Sequence, residues 1–197
     1  MYKEIICVTD RKSCEKDFLS QIEKVSKAGI TKLILRDKEI SKDEYLSLAQ
    51  KVIPICKENG VELVLHSFYN VAIKLDYNKI HLPFTSFLAN YDKLDKFALK
   101  GTSVHNVQDA RLAEKFGANY IIAGHIFKTD CKKDLEPRGT TFLKQICEAV
   151  TSIPVYAIGG INVDNAKVCF ESGAKGVCIM SGFMKAEKPS EIVKIIK

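Results

Sequence analysis

Eight short apolar segments separated by amphipathic ones predict an α/β fold, a single compact (β/α)8 TIM barrel over residues 1–197. Three observations carry this. Most of the apolar segments run continuously instead of alternating, as strands buried on both faces do. Strand-like and helix-like segments alternate strictly, at about 25 residues per unit over 197 residues. Four joints share one form, helix end, glycine, apolar residue: Ala28-Gly29-Ile30, Asn59-Gly60-Val61, Phe116-Gly117-Ala118 and Ser172-Gly173-Ala174. Glycine suits the left-handed position that closes a helix, so these read as αβ turns. The chain lies just under the usual size of the fold, so some helices must be short, and 68–78 and 84–99 are the segments with least room. An open doubly wound sheet is the alternative, but no G-x-G-x-x-G follows the first strand.

In order, the strands are EIICVTD (4–10), KLILRD (32–37), VELVLHS (61–67), KIHLP (79–83), KGTSVH (100–105), YIIAGHIF (120–127), VYAIGG (155–160) and GVCIMSG (176–182). The first helix is expected around EKDFLSQIEKVSK, where lysines and acids alternate on a solvated face. Ser41 with Glu44 forms a capping box for a helix ending at Asn59, and Asn106 and Asn162 precede two later helices. No linker, low-complexity stretch or second domain interrupts the series.

Composition agrees with a globular chain: 46% hydrophobic and 27% charged residues. No apolar run approaches the roughly 18 residues of a membrane span, and MYKEIICVTD does not read as a secretory leader. The expectation is a soluble, cytoplasmic protein with no membrane partner. Seven cysteines, an odd count without C-x-x-C or zinc spacing, read as reduced thiols used mainly as small hydrophobes. The net charge of +6 includes only four arginines and no basic run, which argues against a nucleic-acid partner and for a local anion site.

In a barrel the chemistry gathers at the C-terminal strand ends. Those ends read Asp10, Arg36-Asp37-Lys38, His66-Ser67, His81, Thr102-Ser103 with His105, His125, Gly159-Gly160 and Ser181-Gly182, so all four histidines fall at or near the mouth. The small residues in AIGG (157–160) and IMSG (179–182) would let backbone N–H groups approach a phosphate monoester. The irregular segment 124–141, with Lys128, Lys132, Lys133 and Arg138, would close on an anionic substrate or lie solvated. Cys131 lies in that loop, but no activating base for it is evident. No metal-binding motif occurs.

The motif order ICVTD, LILRDK, IHLP, GTSVH, YIIAGHIFKTDCKK, PVYAIGGI and CIMSG resembles the thiamine phosphate synthase superfamily along essentially the whole chain. Within it, GHIFKTDCKK followed by PRG is similar to the thiazole tautomerase, or TenI-like, branch. Against the synthase pattern Q-x-R-x-K, Ile34 replaces the glutamine while Arg36 and Lys38 remain. The synthase's two magnesium-holding aspartates align with Ser67 and Ser86, and its G-P-I-F becomes Gly124-His125-Ile126-Phe127. Diphosphate departure needs its charge neutralised, so these losses argue against the synthase reaction.

The resemblance implies a metal-independent isomerase without cofactors, moving one proton in a carboxythiazole phosphate to make the aromatic ring. It implies His125 as general base and acid, since imidazole titrates near neutrality. Gly159, Gly160, Ser181, Gly182 and Thr129 would hold the phosphate, and Lys132 or Arg36 the carboxylate or closing charge, with Lys38 and Ser103 as further substrate contacts and His105 a helper. The partner expected is a small phosphorylated thiazole, and a homo-oligomer stays open. Two alternatives also stand, the transferase itself and a non-catalytic regulator that binds thiazole or thiamine phosphates.

Overall fold

The computed structural model describes residues 3–130 and 135–197. Eight parallel strands close into a barrel in sequence order: β1 Glu4–Val8, β2 Lys32–Leu35, β3 Glu62–His66, β4 Lys79–Pro83, β5 Leu99–Val104, β6 Tyr120–Gly124, β7 Val155–Ile158 and β8 Gly176–Ile179. The (β/α)8 barrel is thus observed. Register runs unbroken round the ring to the pairing of β1 with β8, where Ile6 lies opposite Cys178.

Helices α1 Phe18–Lys27, α2 Lys42–Glu58, α3 Tyr69–Lys74, α4 Phe84–Ala89, α5 Val107–Lys115, α6 Gly139–Ala149, α7 Ala166–Glu171, α8 Ser181–Lys185 and α9 Pro189–Ile196 cover the outside. The two segments with least room form six-residue helices, α3 and α4. The remaining economy is in α7 and α8, of six and five residues. Both halves of the Ser41–Glu44 capping box are formed, and Asn106 caps α5 by accepting from the Asp109 N–H. Asn162 differs from expectation. Its side chain accepts from Asp164 and Asn165 and caps the turn ahead of α7, whose own cap is Asn165. Gly29, Gly60, Gly117 and Gly173 have φ of +88°, +65°, +78° and +100°, the left-handed helix ends read from the sequence.

The larger core lies between strands and helices, where Ile5, Leu33, Leu63, Ile80 and Ile121 meet the apolar helix faces. A second cluster fills the lumen with Ile6, Val8, Ile34, Val64, Tyr120, Ile122, Tyr156 and Cys178. Below it the N-terminal end is plugged by charge. Lys32, 5% exposed, places Nζ 4.8 Å from the Tyr120 ring centroid, 5.1 Å from that of Tyr156 and 3.2 Å from Glu62. Lys79 pairs with the same carboxylate at 2.9 Å, and the Tyr156 hydroxyl donates to Glu4 at 2.9 Å. The interior is therefore sealed at one end and polar at the other. Among the described residues no helix is long and apolar enough to cross a membrane.

Several strands end earlier than their apolar runs. The run 120–127 stops as a strand at Gly124, although the N–H groups of Ile126 and Phe127 still donate to the carbonyls of Ile158 and Gly159. Six cysteines lie in described positions as free thiols, and Cys7, Cys56, Cys169 and Cys178 are buried as small hydrophobes. Burial raises the Cys169 thiol to about 12.

Candidate functional site

A cavity of about 520 Å³ opens at the C-terminal mouth, its wall made by the ends of the strands. Arg36, Lys38, Ser103, His125, Thr129, Gly159, Gly160, Ser181 and Gly182 all border it, so the site residues expected from the sequence come together with one exception. Lys132, like Cys131 and Lys133, lies outside the described residues.

Gly159 and Gly160 have φ of +104° and +64°, and their missing side chains make room for protein as well as for a ligand. A Cβ at Gly159 would come within 2.3 Å of the His125 Cβ, and one at Gly160 within 2.3 Å of the Lys128 carbonyl oxygen. These glycines let the β6 loop, with its histidine, rest directly on the β7 turn. Asn165 holds that turn by donating to the Gly160 carbonyl at 2.9 Å.

His125 is 5% exposed, with Nε2 3.2 Å from the Leu135 carbonyl oxygen. A carbonyl only accepts, so Nε2 carries a proton, and the tautomer this selects has its lone pair on Nδ1. His105, exposed at the rim, donates from Nδ1 to the Gly124 carbonyl at 2.7 Å, steadying the peptide that leads into His125. Leu135, Glu136, Pro137 and Arg138 join the two histidines round a second recess of about 400 Å³.

The opposite wall is built by β2 to β5. Thr9 fixes the Arg36 backbone with two hydrogen bonds of 2.8 Å, and the guanidinium lies 3.6 Å from Asp10. Its charge is partly answered before any ligand arrives, which weakens the expectation that it grips a substrate carboxylate. Asp37 is likewise taken by Arg11 at 2.8 Å. His66 and His81, opposite each other in the β3–β4 register, stack with ring centroids 5.4 Å apart. The Tyr45 hydroxyl, reaching in from α2, donates to Leu35 and accepts from the His66 N–H. Burial holds both imidazoles neutral, drawing His81 down to about 3 and His66 well below the ordinary histidine value.

Ser67, with φ of +66°, places its hydroxyl 2.7 Å from His66 Nδ1. Ser86 lies inside α4. The ends of β3 and β4 thus bring neutral imidazoles to the cavity, with no carboxylate at 67 or 86, where magnesium would want carboxylate oxygens. Among the described residues no group of three His, Cys, Asp or Glu side chains is disposed to hold a metal ion. This donor set does not fit magnesium.

The fold is that of a (β/α)8 barrel enzyme, closed, with its polar mouth at the C-terminal strand ends, glycine turns after β7 and small residues after β8. The chain belongs to the thiamine monophosphate synthase (TMP-TENI) family, whose model matches residues 5–183. It is 34% identical over 182 residues to the putative thiamine-phosphate synthase 2 of Aquifex aeolicus, covering 92% of this chain and 97% of that one. It is 37% identical over 185 residues to the thiamine-phosphate synthase of Desulfitobacterium hafniense, covering 91% and 87%. Among solved structures, the thiamine phosphate pyrophosphorylase of Pyrococcus furiosus superposes with a TM-score of 0.84 at 27% identity, covering 98% of this chain and 95% of that one. The chain is therefore a member of a thiamine-biosynthetic enzyme family. These relatives' names point to the transferase more than to the isomerase.

The residues that sequence reading missed are the partners: Tyr45 behind His66, Tyr120 behind His81, and the Leu135 carbonyl that orients His125. Each needs the fold's register or a loop's return path, so no local signal marks them.

Proposed function

We propose that this protein is a metal-independent thiazole tautomerase of the cytoplasm, converting a carboxythiazole phosphate with an exocyclic double bond into its aromatic isomer. The observation that carries this reading is His125, an oriented imidazole in the cavity wall. In this reading Nδ1 takes the proton from the ring carbon that bears the carboxylate and returns it to the exocyclic carbon. Aromatisation supplies the driving force, so the protein has only to position the ring and carry the proton. Gly159, Gly160, Ser181, Gly182 and Thr129 hold the phosphate, and Lys38 supplies positive charge beside the carboxylate.

The second reading is thiamine-phosphate synthase, joining a pyrimidine diphosphate to thiazole phosphate, and the relatives' names favour it. The serines at 67 and 86 stand against it, because neither offers the carboxylate that would hold a magnesium ion to neutralise the departing diphosphate. One experiment separates the two. Purified protein with the exocyclic isomer in magnesium-free buffer should form the aromatic product, and His125→Ala should slow this by about 10²- to 10⁴-fold. An undiminished rate in His125→Ala refutes the assignment. Formation of thiamine phosphate with magnesium, at a rate comparable to an authentic synthase, decides for the transferase.

A further inference from the structure

Behind the mouth the lumen holds a hydrogen-bonded chain that the proton transfer from His125 does not use. Tyr120 opens β6 directly opposite Gly101 of β5, and its ring occupies the space a side chain at 101 would need. A Cβ at Gly101 would come within 2.1 Å of the Tyr120 Cζ. With Lys32 over its face and the Tyr156 ring at 5.5 Å, the phenol has one place to be. Its hydroxyl lies 3.0 Å from His81 Nδ1, and His81 Nε2 lies 2.8 Å from Ser103 Oγ at the cavity wall. Tyr120 and His81 are each 1% exposed.

The chain has a direction. Among the described residues His81 is the one hydrogen-bond partner of the Tyr120 hydroxyl. If that oxygen accepted from Nδ1–H, the phenol proton would be buried without an acceptor, the costlier arrangement. Tyr120 therefore donates to Nδ1. A neutral imidazole with its lone pair on Nδ1 carries its proton on Nε2, so His81 donates to Ser103 Oγ. One of the two lone pairs on the serine oxygen is then taken from below, which leaves its own O–H free to donate towards the cavity. Burial keeps both inner groups uncharged, raising the phenol of Tyr120 well above its usual value and lowering His81. Each donation also polarises the next.

We propose that Tyr120 and His81 are positioning residues that hold Ser103 as a hydrogen-bond donor into the mouth, favouring ligands that present an oxygen or nitrogen lone pair there. The proposal rests on the tautomerase reading only for its choice of probe. Nitrogen-15 NMR of the ligand-free protein should show His81 protonated at Nε2 and bare at Nδ1, and the reverse tautomer overturns the proposal. Tyr120→Phe, which keeps the ring, should mix the two tautomers.

In calorimetric titration with carboxythiazole phosphate, Ser103→Ala should weaken binding by roughly tenfold or more. Ser103→Thr should retain affinity, and Tyr120→Phe should fall between. Equal affinity in all four proteins refutes the donor role. Neither measurement reads turnover, so a protein that binds the probe without isomerising it would end the tautomerase reading and leave this one standing. If the probe fails to bind at all, the tautomer of His81 decides alone.

Discussion

Replacing Gly101 with alanine would set a methyl group 2.1, 2.4 and 2.5 Å from three carbons of the Tyr120 ring. The ring has nowhere to retreat, since it is 1% exposed with Lys32 and Tyr156 packed against it. Gly101 has no left-handed torsion, so the backbone itself tolerates alanine and the whole penalty is steric. Overpacking of a tight core costs about 1–3 kcal/mol, and displacing the phenol from His81 forfeits a hydrogen bond of about 1 kcal/mol. The expected loss is about 3 kcal/mol, or a Tm lower by roughly 6–12 °C in a domain of this size. Thermal and urea unfolding followed by circular dichroism measure it. Gly60→Ala is the control: its φ is +65° with open space around it, so it carries only the backbone penalty of about 1 kcal/mol. A Gly101→Ala protein no less stable than the Gly60→Ala protein would refute the claim that Tyr120 is fixed in place.

Gly159→Ala should displace His125, because the new Cβ would lie 2.3 Å from the histidine Cβ at a backbone φ of +104°; isomerisation should fall about 10²-fold, read by turnover beside a thermal melt. The buried imidazoles set an acid limit on stability. His66 and His81 have depressed folded-state values while the unfolded chain takes up protons near pH 6.5, so stability is full above about 6.5 and declines as pH falls below it, for His81 down to about 3. His81 contributes a slope of about 1.4 kcal/mol per pH unit within its window, and His81→Gln should remove it in urea titrations across pH. Ser41→Ala removes one half of a capping box far from the mouth and should cost about 1 kcal/mol, a Tm drop of about 2–4 °C, with turnover unchanged.

Strand order and helix ends were open to sequence reading because both follow local rules. Continuous apolar runs mark doubly buried strands, and Gly29, Gly60, Gly117 and Gly173 mark positions that only a left-handed residue fills easily. The mouth was legible for the same reason: in a parallel barrel every strand ends on one side, so Arg36, His125 and Ser181 meet without being near in sequence. What escaped depends on register and pairing. That Tyr120 would lie over Gly101 requires the β5–β6 alignment, 19 residues of separation that no periodicity encodes. That Arg36 would be shared with Asp10 requires the twist bringing β1 beside β2. Strand lengths were overread at Ile126 and Phe127 because those residues keep strand-like hydrogen bonds to Ile158 and Gly159 after the ladder has formally ended.

The plug of Lys32, Glu62 and Tyr156 at the other end has a kinetic meaning. It turns the barrel into a vessel with one doorway. Whatever molecule the mouth admits must back out by the route it came in, so departure of the product has to precede arrival of the next substrate. A product that lingers is then a competitive inhibitor by architecture alone, and the turnover ceiling belongs to whatever governs that shared threshold.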